Sequence, residues 1–94
     1  MGKTKSTKRR ARQIEKCMRE QLATYLKAER KRSKISQTKL AKALDRSQTT
    51  VARVENKRRM LTMSDFILYS EVIGFNPREA WETILDRCEH LDPA

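Results

Sequence analysis

The stretch from Ser36 to Asn56 constrains the fold of this chain more than any other part of the sequence. Its apolar residues recur at helical spacing in two short runs, Leu40–Leu44 and Val51–Val54. A serine precedes each run, and a serine hydroxyl can accept a hydrogen bond from an unpaired N–H group at a helix start. Only Asp45 and Arg46 separate the first run from the second serine. We therefore predict two short helices that pack closely, with a tight turn between them.

The second of these helices has a polar outer face. At about 100° per residue, Thr49, Ala52 and Arg53 point away from the valines, with Gln48 and Thr50 on the flanks. Small, hydrogen-bonding and basic side chains on an exposed helix suit the major groove of DNA. We predict that four residues contact bases: Gln48, Thr49, Thr50 and Arg53.

These residues resemble the helix-turn-helix of the Xre family, the lambdoid phage repressor and Cro type. The shared pattern is Ser-Gln-x-x-Leu-Ala-x-x-Leu, two turn residues, and Ser-x-x-Thr-Val-x-x-Val-Glu-Asn, and the resemblance covers about residues 22–81. Three positions depart from the family. Asp45 stands where Gly is usual, Arg46 where an apolar residue is usual, and Lys57 where Gly is frequent. Because Asp tolerates a left-handed backbone, we expect the turn to be kept.

The resemblance implies an all-α, five-helix lambda-repressor-like fold. We predict that the domain occupies residues 12–92, with the motif at 36–56. It also implies an ion pair between Arg30 and Glu55 that ties the first helix to the end of the recognition helix. Gln37 would contact a DNA phosphate at a helix N-terminus, where backbone N–H groups point outward. The full set of expected phosphate contacts is Ser36, Gln37, Ser47, Asn56, Lys57, Arg58 and Arg59.

The charge of the chain divides into two halves. Residues 1–59 hold 20 Lys/Arg and 5 Asp/Glu, a difference of +15, and residues 60–94 hold 2 and 7, a difference of −5. The sum is the net charge of +10. The basic half contains the helix pair, which indicates a polyanionic partner, and double-stranded DNA is the simplest one.

The first eleven residues are basic and almost free of apolar side chains, so we predict a disordered arm. We interpret it as an arm that lies along phosphates or enters a minor groove. The alternatives are a solvated tail and, from Met1-Gly2 with Ser6, an N-myristoylation signal, a pattern that is common by chance. The arm residues predicted to contact DNA are Lys3, Lys5, Lys8, Arg9, Arg10 and Arg12.

From about Arg12 to Lys31 the apolar period is helical, so we predict that the first helix is extended at its start. The extension, residues 12–20, can pack on the last helix or continue the arm as a basic helix. The sequence leaves both arrangements open.

The C-terminal half predicts two more helices. One runs from Leu61 to Ile73, and Gly74 follows at the usual helix-ending position. Asn76 and Pro77 then start a last helix that should reach about Leu91. Its apolar arc exceeds what a small core requires, so we expect a homodimer interface there. Its candidate residues are Trp81, Leu85 and Cys88, with Ile14 and Met18 as possible additions.

Catalysis, metal binding and cofactor binding find no support in the sequence. There is no nucleophile with a nearby base and no glycine-rich phosphate loop. Cys17, Cys88 and His90 match no metal-ligand spacing, which favours a reducing cytoplasm as the compartment. No apolar run is long enough for a membrane span.

The leading interpretation is a homodimeric repressor on the nucleoid that binds a short, near-palindromic operator. The alternative is an antitoxin that binds both operator DNA and a toxin, using residues 1–20 or 85–94 for the toxin. A non-specific nucleoid or RNA-binding protein is a third possibility, which would not need the groove-facing residues. A toxin or an antirepressor is the protein partner to consider.

Overall fold

The structure, a computed structural model, describes residues 4–89, with side chains from residue 7 onward. Every regular element in this range is a helix, and there are five: α1 (Thr4–Arg32), α2 (Gln37–Leu44), α3 (Gln48–Glu55), α4 (Met63–Ile73) and α5 (Pro77–Arg87). The predicted all-α, five-helix fold with an extended first helix is confirmed. Predictions for the side chains of Lys3 and Lys5, and for His90 and Leu91, lie outside the described residues.

Polar side chains start four of the helices, as predicted for Ser36, Ser47 and Asn76. Ser36, Ser47 and Thr62 each accept a hydrogen bond from the N–H group three residues ahead, and Asn76 accepts from the N–H groups of residues 78 and 79. Each of these side chains pairs a backbone donor that the first turn of a helix leaves without an intrahelical partner. Helix ends are therefore fixed by local chemistry, and tertiary packing needs only to orient them.

Helix α1 begins at Thr4, earlier than the predicted start near Arg12. The helix thus includes most of the segment predicted as a disordered arm, residues 1–11. The sequence from residue 4 to residue 32 contains no Gly or Pro and is rich in Lys, Arg, Glu and Ala, which are strong helix formers. Helix propensity, together with continuity from a well-packed C-terminal part, accounts for the longer helix.

Helix α5 ends at Arg87 and is shorter than the predicted helix to Leu91. The Cys88 N–H group bonds the carbonyl of Leu85 at 3.0 Å, and the Glu89 N–H group bonds that of Asp86 at 3.2 Å. In both bonds the N–H group pairs with the carbonyl three residues before it instead of four. This tighter pattern is frequent at the end of an α-helix.

The core lies where all five helices meet. Helix α1 packs on α3 and α5, α2 packs on α3 and α4, and α4 packs on α5. The fully buried side chains include Leu26, Leu40, Leu44, Val51 and Ile84. Aromatic rings also pack in the core. The Phe75 ring contacts the rings of Tyr25 and Phe66 at centroid distances of 5.5 and 5.8 Å.

Cys17 and Cys88 form a disulfide that joins α1 to the end of α5, with their Cα atoms 6.0 Å apart. The sequence predicted no disulfide between these two cysteines, so this bond is a correction to that prediction. It also makes Cys88 part of an intramolecular contact instead of the predicted dimer surface. The sequence could not reveal the pair because 71 positions separate the two residues. The extension of α1 is therefore attached to the last helix at this point.

None of the helices in the described part of the chain is long and apolar enough to span a membrane.

Reduction of the disulfide should lower the free energy of unfolding by about 2–4 kcal/mol, because a long closed loop restricts the unfolded chain. Urea unfolding with and without a dithiol reductant measures this difference. The Cys17→Ser/Cys88→Ser variant is the control, and its unfolding midpoint should be the same with and without the reductant. Identical midpoints for oxidised and reduced wild type would show that the disulfide does not stabilise the fold.

Candidate nucleic-acid interface

The turn between α2 and α3 is formed by Asp45 in a left-handed conformation, with φ 57° and ψ 45°. The Asp45 N–H group bonds the carbonyl of Lys42 at 3.1 Å, and the Arg46 N–H group bonds that of Ala41 at 2.9 Å. This is the hydrogen-bond pattern that commonly closes a helix around a left-handed residue. Asp45 therefore takes the place of the glycine that is usual at this turn, as predicted.

Arg46 ties the turn to α4. Its guanidinium donates to Asp65 Oδ1 at 3.0 Å and to the carbonyl of Asp45 at 3.2 Å. Its side chain is about half exposed, so this pair contributes little to stability. Its main effect is on geometry, because it holds the turn against the first turn of α4. The polar residue at an otherwise apolar family position was the only signal of this contact in the sequence.

Helix α3 has a buried side and an exposed side. Val51, Val54 and Glu55 are buried, whereas Gln48, Thr49 and Arg53 are exposed. Thr50 is partly buried, and its hydroxyl oxygen lies 2.9 Å from that of Ser47. The structure therefore places three of the four residues predicted to contact bases on one open surface, and engages the hydroxyl of the fourth in a local contact.

The buried end of α3 is held by an ion pair. Arg30 donates from Nε to Glu55 Oε2 at 2.6 Å and from its second terminal nitrogen to Glu55 Oε1 at 3.0 Å. The residues are 9% and 4% exposed, so both charges lie out of water. A third bond, from Arg30 to the carbonyl of Ile35 at 2.7 Å, uses another donor of the same guanidinium. The pair implied by the family resemblance is present in the structure, with bidentate geometry.

Gln37 joins this pair. Its side-chain nitrogen donates to Glu55 Oε1 at 3.0 Å. One carboxylate thus connects Arg30 of α1, the first residue of α2 and the last residue of α3. The prediction of a phosphate contact did not include this bond, which links residues 18 positions apart. The bond orients the start of α2 relative to the recognition helix.

Tyr69 lies buried in the same part of the core. Its hydroxyl makes no hydrogen bond to any described residue. Burial, with the negative charges of Glu55 and Asp65 as smaller causes, raises the pKa of Tyr69 to about 12. The phenol therefore stays neutral at physiological pH and adds no charge to the surroundings of the carboxylate.

The chain leaves α3 through a second left-handed turn at Lys57, with φ 65°. The Lys57 N–H group bonds the carbonyl of Val54, and the Arg58 N–H group bonds that of Arg53, at 3.1 and 2.8 Å. From α1, Arg19 Nε donates to the carbonyl of Lys57 at 3.1 Å. The turn is therefore fixed to α1 by a contact that no sequence pattern predicts.

The residues predicted to bind phosphate lie at the two ends of the helix pair. Most of them are exposed, and Gln37 is partly buried. Ser36 and Ser47 stand at helix N-termini, where N–H groups and the helix dipole favour an anion. The basic cluster Lys57–Arg59 stands at the opposite end of α3. The surface around α3 can thus accept a base edge in its centre and phosphates on both sides.

The remaining predicted residues lie on α1 and α5. Lys8, Arg9 and Arg12 are exposed on α1, and Arg10 is partly buried. On α5, Leu85 is 43% exposed, while Trp81 is partly buried, with its ring centroid 6.3 Å from that of Phe66. Neither group belongs to the surface of α3 itself.

A protein-family model described as helix-turn-helix matches residues 26–79, which is more than half of the chain. The match begins in α1, contains the complete α2–α3 pair and ends in the first turn of α5. No curated protein matches the chain.

Replacing Glu55 by Ala should destabilise the fold by about 3–5 kcal/mol, because the guanidinium of Arg30 is then buried without its partner. Chemical denaturation of Glu55→Ala, Arg30→Met and the double variant measures the coupling between them. The double variant should be less destabilised than the sum of the two single variants. Additive losses would contradict a direct interaction.

Proposed function

Because the chain belongs to the Xre family of lambda repressor-like helix-turn-helix proteins, and is therefore a DNA-binding regulator, we propose that it represses transcription by binding a short operator as a homodimer. The operator is near-palindromic, since two copies related by a twofold axis read two equivalent half-sites. Its compartment is the cytoplasm, where it acts on the nucleoid.

The observation that carries this proposal is the exposed polar face of α3 on a rigid support. Gln48, Thr49 and Arg53 are exposed, while the opposite side of the helix is buried and fixed through Glu55. Arg53 can donate two hydrogen bonds to a guanine edge, and Gln48 can pair with adenine. The Thr49 methyl group can contact the methyl group of thymine. A preorganised reading helix is what sequence-specific binding requires.

Phosphate contacts position this helix. Ser36, Gln37 and Ser47 approach one strand from the N-termini of α2 and α3. Asn56 and the basic cluster Lys57–Arg59 approach the backbone at the other end of α3. Such contacts supply affinity without sequence preference and make binding depend on salt.

The dimer interface lies on the side of the domain with the least positive charge. Residues 60–89 carry Arg78 and Arg87 against six acidic residues, a difference of −4, so two copies can approach there with less repulsion than through the basic half. This side also has exposed apolar side chains: Met63 at 68%, Ile67 at 44% and Leu85 at 43%. With Trp81 they form an apolar strip along α4 and α5. The interface proposed here therefore uses the strip Met63, Ile67, Trp81 and Leu85.

Arg53→Ala should weaken binding to the preferred sequence by roughly 1–3 kcal/mol and relax the preference at one base pair per half-site. A duplex selected from a random pool by wild-type protein, compared with a scrambled duplex, provides the measurement. Arg59→Ala is the matched control, since it removes the same side chain from the loop and should weaken both duplexes alike. Equal losses on both duplexes for Arg53→Ala would exclude base readout by this residue.

Leu85→Glu should convert the dimer into a folded monomer, because it places a charge in the apolar strip of each copy. The residue is 43% exposed in one chain, so the fold itself should tolerate the change. Sedimentation at micromolar concentration measures the state of association. Ala43→Glu, at an exposed position of α2, adds the same charge and should leave sedimentation unchanged. A wild-type protein that stays monomeric and binds a single half-site would refute the dimer and favour a different protein partner for the strip.

A further inference from the structure

One face of α1 carries a basic stripe that continues beyond the globular domain. Residues spaced by four, four, three, four and four positions stay within an arc of about 100° on an α-helix. Along α1 this spacing is occupied by Lys8, Arg12, Lys16, Arg19, Ala23 and Lys27.

The C-terminal half of this stripe faces the end of the recognition helix. Arg19 donates to the carbonyl of Lys57 at 3.1 Å. Ala23 is 1% exposed, and together with Lys27 it lines a groove whose other wall includes Glu55 and Lys57. This face of α1 is therefore the face on the side of α3.

The N-terminal half of the stripe has no such cover. Lys8, Arg12 and Lys16 are exposed. From residue 4 to residue 16 the helix rises by about 20 Å, at about 1.5 Å per residue. The molecule measures 47 Å along its longest axis and 24 and 19 Å along the others. The helix thus projects from the domain with a basic face that starts beside the cluster Lys57–Arg59.

Two contacts hold the helix where it leaves the domain. The Cys17–Cys88 disulfide attaches it to α5, and Arg19 attaches it to the turn after α3. Met18, between them, packs against the core. Because the two contacts lie two residues apart on different sides of the helix, they limit both its rotation and its tilt. The projecting part is a directed extension, in contrast to a freely jointed tail.

We propose that residues 8–16 of α1 bind the phosphates of duplex DNA that flanks the sequence read by α3, as an ordered basic helix held in place by the Cys17–Cys88 disulfide. The proposal rests on the DNA-binding function given above. Duplex phosphate is the partner that fits, because the basic stripe is continuous with Lys57–Arg59 and lies on the side of the recognition helix. It extends the protein's contact with DNA beyond the bases that α3 reaches.

The disulfide makes this second contact sensitive to redox state. A dithiol reductant breaks the Sγ–Sγ bond, delivers two electrons and two protons to yield two thiols, and is itself oxidised to a disulfide. The link to α5 is then lost, and the projecting helix must be ordered anew when it binds, at a cost in conformational entropy. Disulfides in cytosolic proteins are usually transient and redox-sensing, which agrees with such a role.

The test compares a short duplex that contains only the selected sequence with a long duplex that adds about one helical turn on each side. The variant Lys8→Gln/Arg12→Gln should bind the short duplex like wild type and lose affinity for the long one. Each copy of the variant lacks two phosphate contacts, so the dimer lacks four. With about 0.9 counterion released per contact, wild type should lose roughly a hundredfold more affinity than the variant for the long duplex between 50 and 200 mM salt. Arg32→Gln/Lys34→Gln, at two exposed positions near the opposite end of α1, is the control with the same charge change, and it should respond to the flanks like wild type.

Reduction should bring wild type on the long duplex toward the affinity of the double variant. Cys88→Ser should show the same lowered affinity for the long duplex without any reductant. The affinity of Lys8→Gln/Arg12→Gln should be the same in the oxidised and the reduced protein. Circular dichroism of Cys88→Ser and of reduced wild type establishes that both remain folded.

Equal effects of Lys8→Gln/Arg12→Gln on the short and long duplexes, or the same loss on the long duplex from Arg32→Gln/Lys34→Gln, would overturn the flanking contact. If the ratio of wild-type affinities for the long and short duplexes is the same in the oxidised and the reduced protein, the disulfide has no role in the flanking contact. If wild type selects no sequence at all, the proposed operator function fails, which is a distinct outcome.

Discussion

The bidentate pair between Arg30 and Glu55 is the interaction on which the geometry of this protein depends. A buried carboxylate at the end of α3 is stable only with charged and hydrogen-bonding partners. Arg30 and Gln37 supply these partners from α1 and α2. The three helices therefore cannot shift independently, since any movement of α3 would leave a buried charge without its partners. The reading face of α3 inherits its fixed position from this constraint.

The two turns beside α3 both require a residue with a left-handed backbone, and each uses a different one. Both end a helix with a left-handed residue, Asp45 before α3 and Lys57 after it, and neither is a glycine. Each turn is also secured from another helix: Arg46 contacts Asp65 of α4, and Arg19 of α1 contacts the carbonyl of Lys57. Polar contacts to neighbouring helices thus hold in place two turns that the backbone alone would favour less than it would with glycine.

Helix α1 connects the recognition helix with the rest of the molecule. Its central part packs on α3 on one side and on α5 on the other. Its basic N-terminal part projects beyond both, and a disulfide marks the point of departure. Of the 20 Lys and Arg residues at positions 1–59, 11 lie on this one long helix. The acidic second half carries the exposed apolar strip that we propose as the interface with a second copy.

The sequence by itself determined the helices, their caps, the turn at Asp45 and the outward face of α3. These features depend on neighbouring residues, through helical periodicity and backbone hydrogen bonds within a few positions. The Arg30–Glu55 ion pair was also predicted, but only from the resemblance to a family. The tertiary structure alone decided that Cys17 bonds Cys88, that Gln37 joins the ion pair, and that Arg19 reaches the turn after α3. Those contacts join residues between 18 and 71 positions apart, and the distance in space between such residues is set by the packing of the whole core.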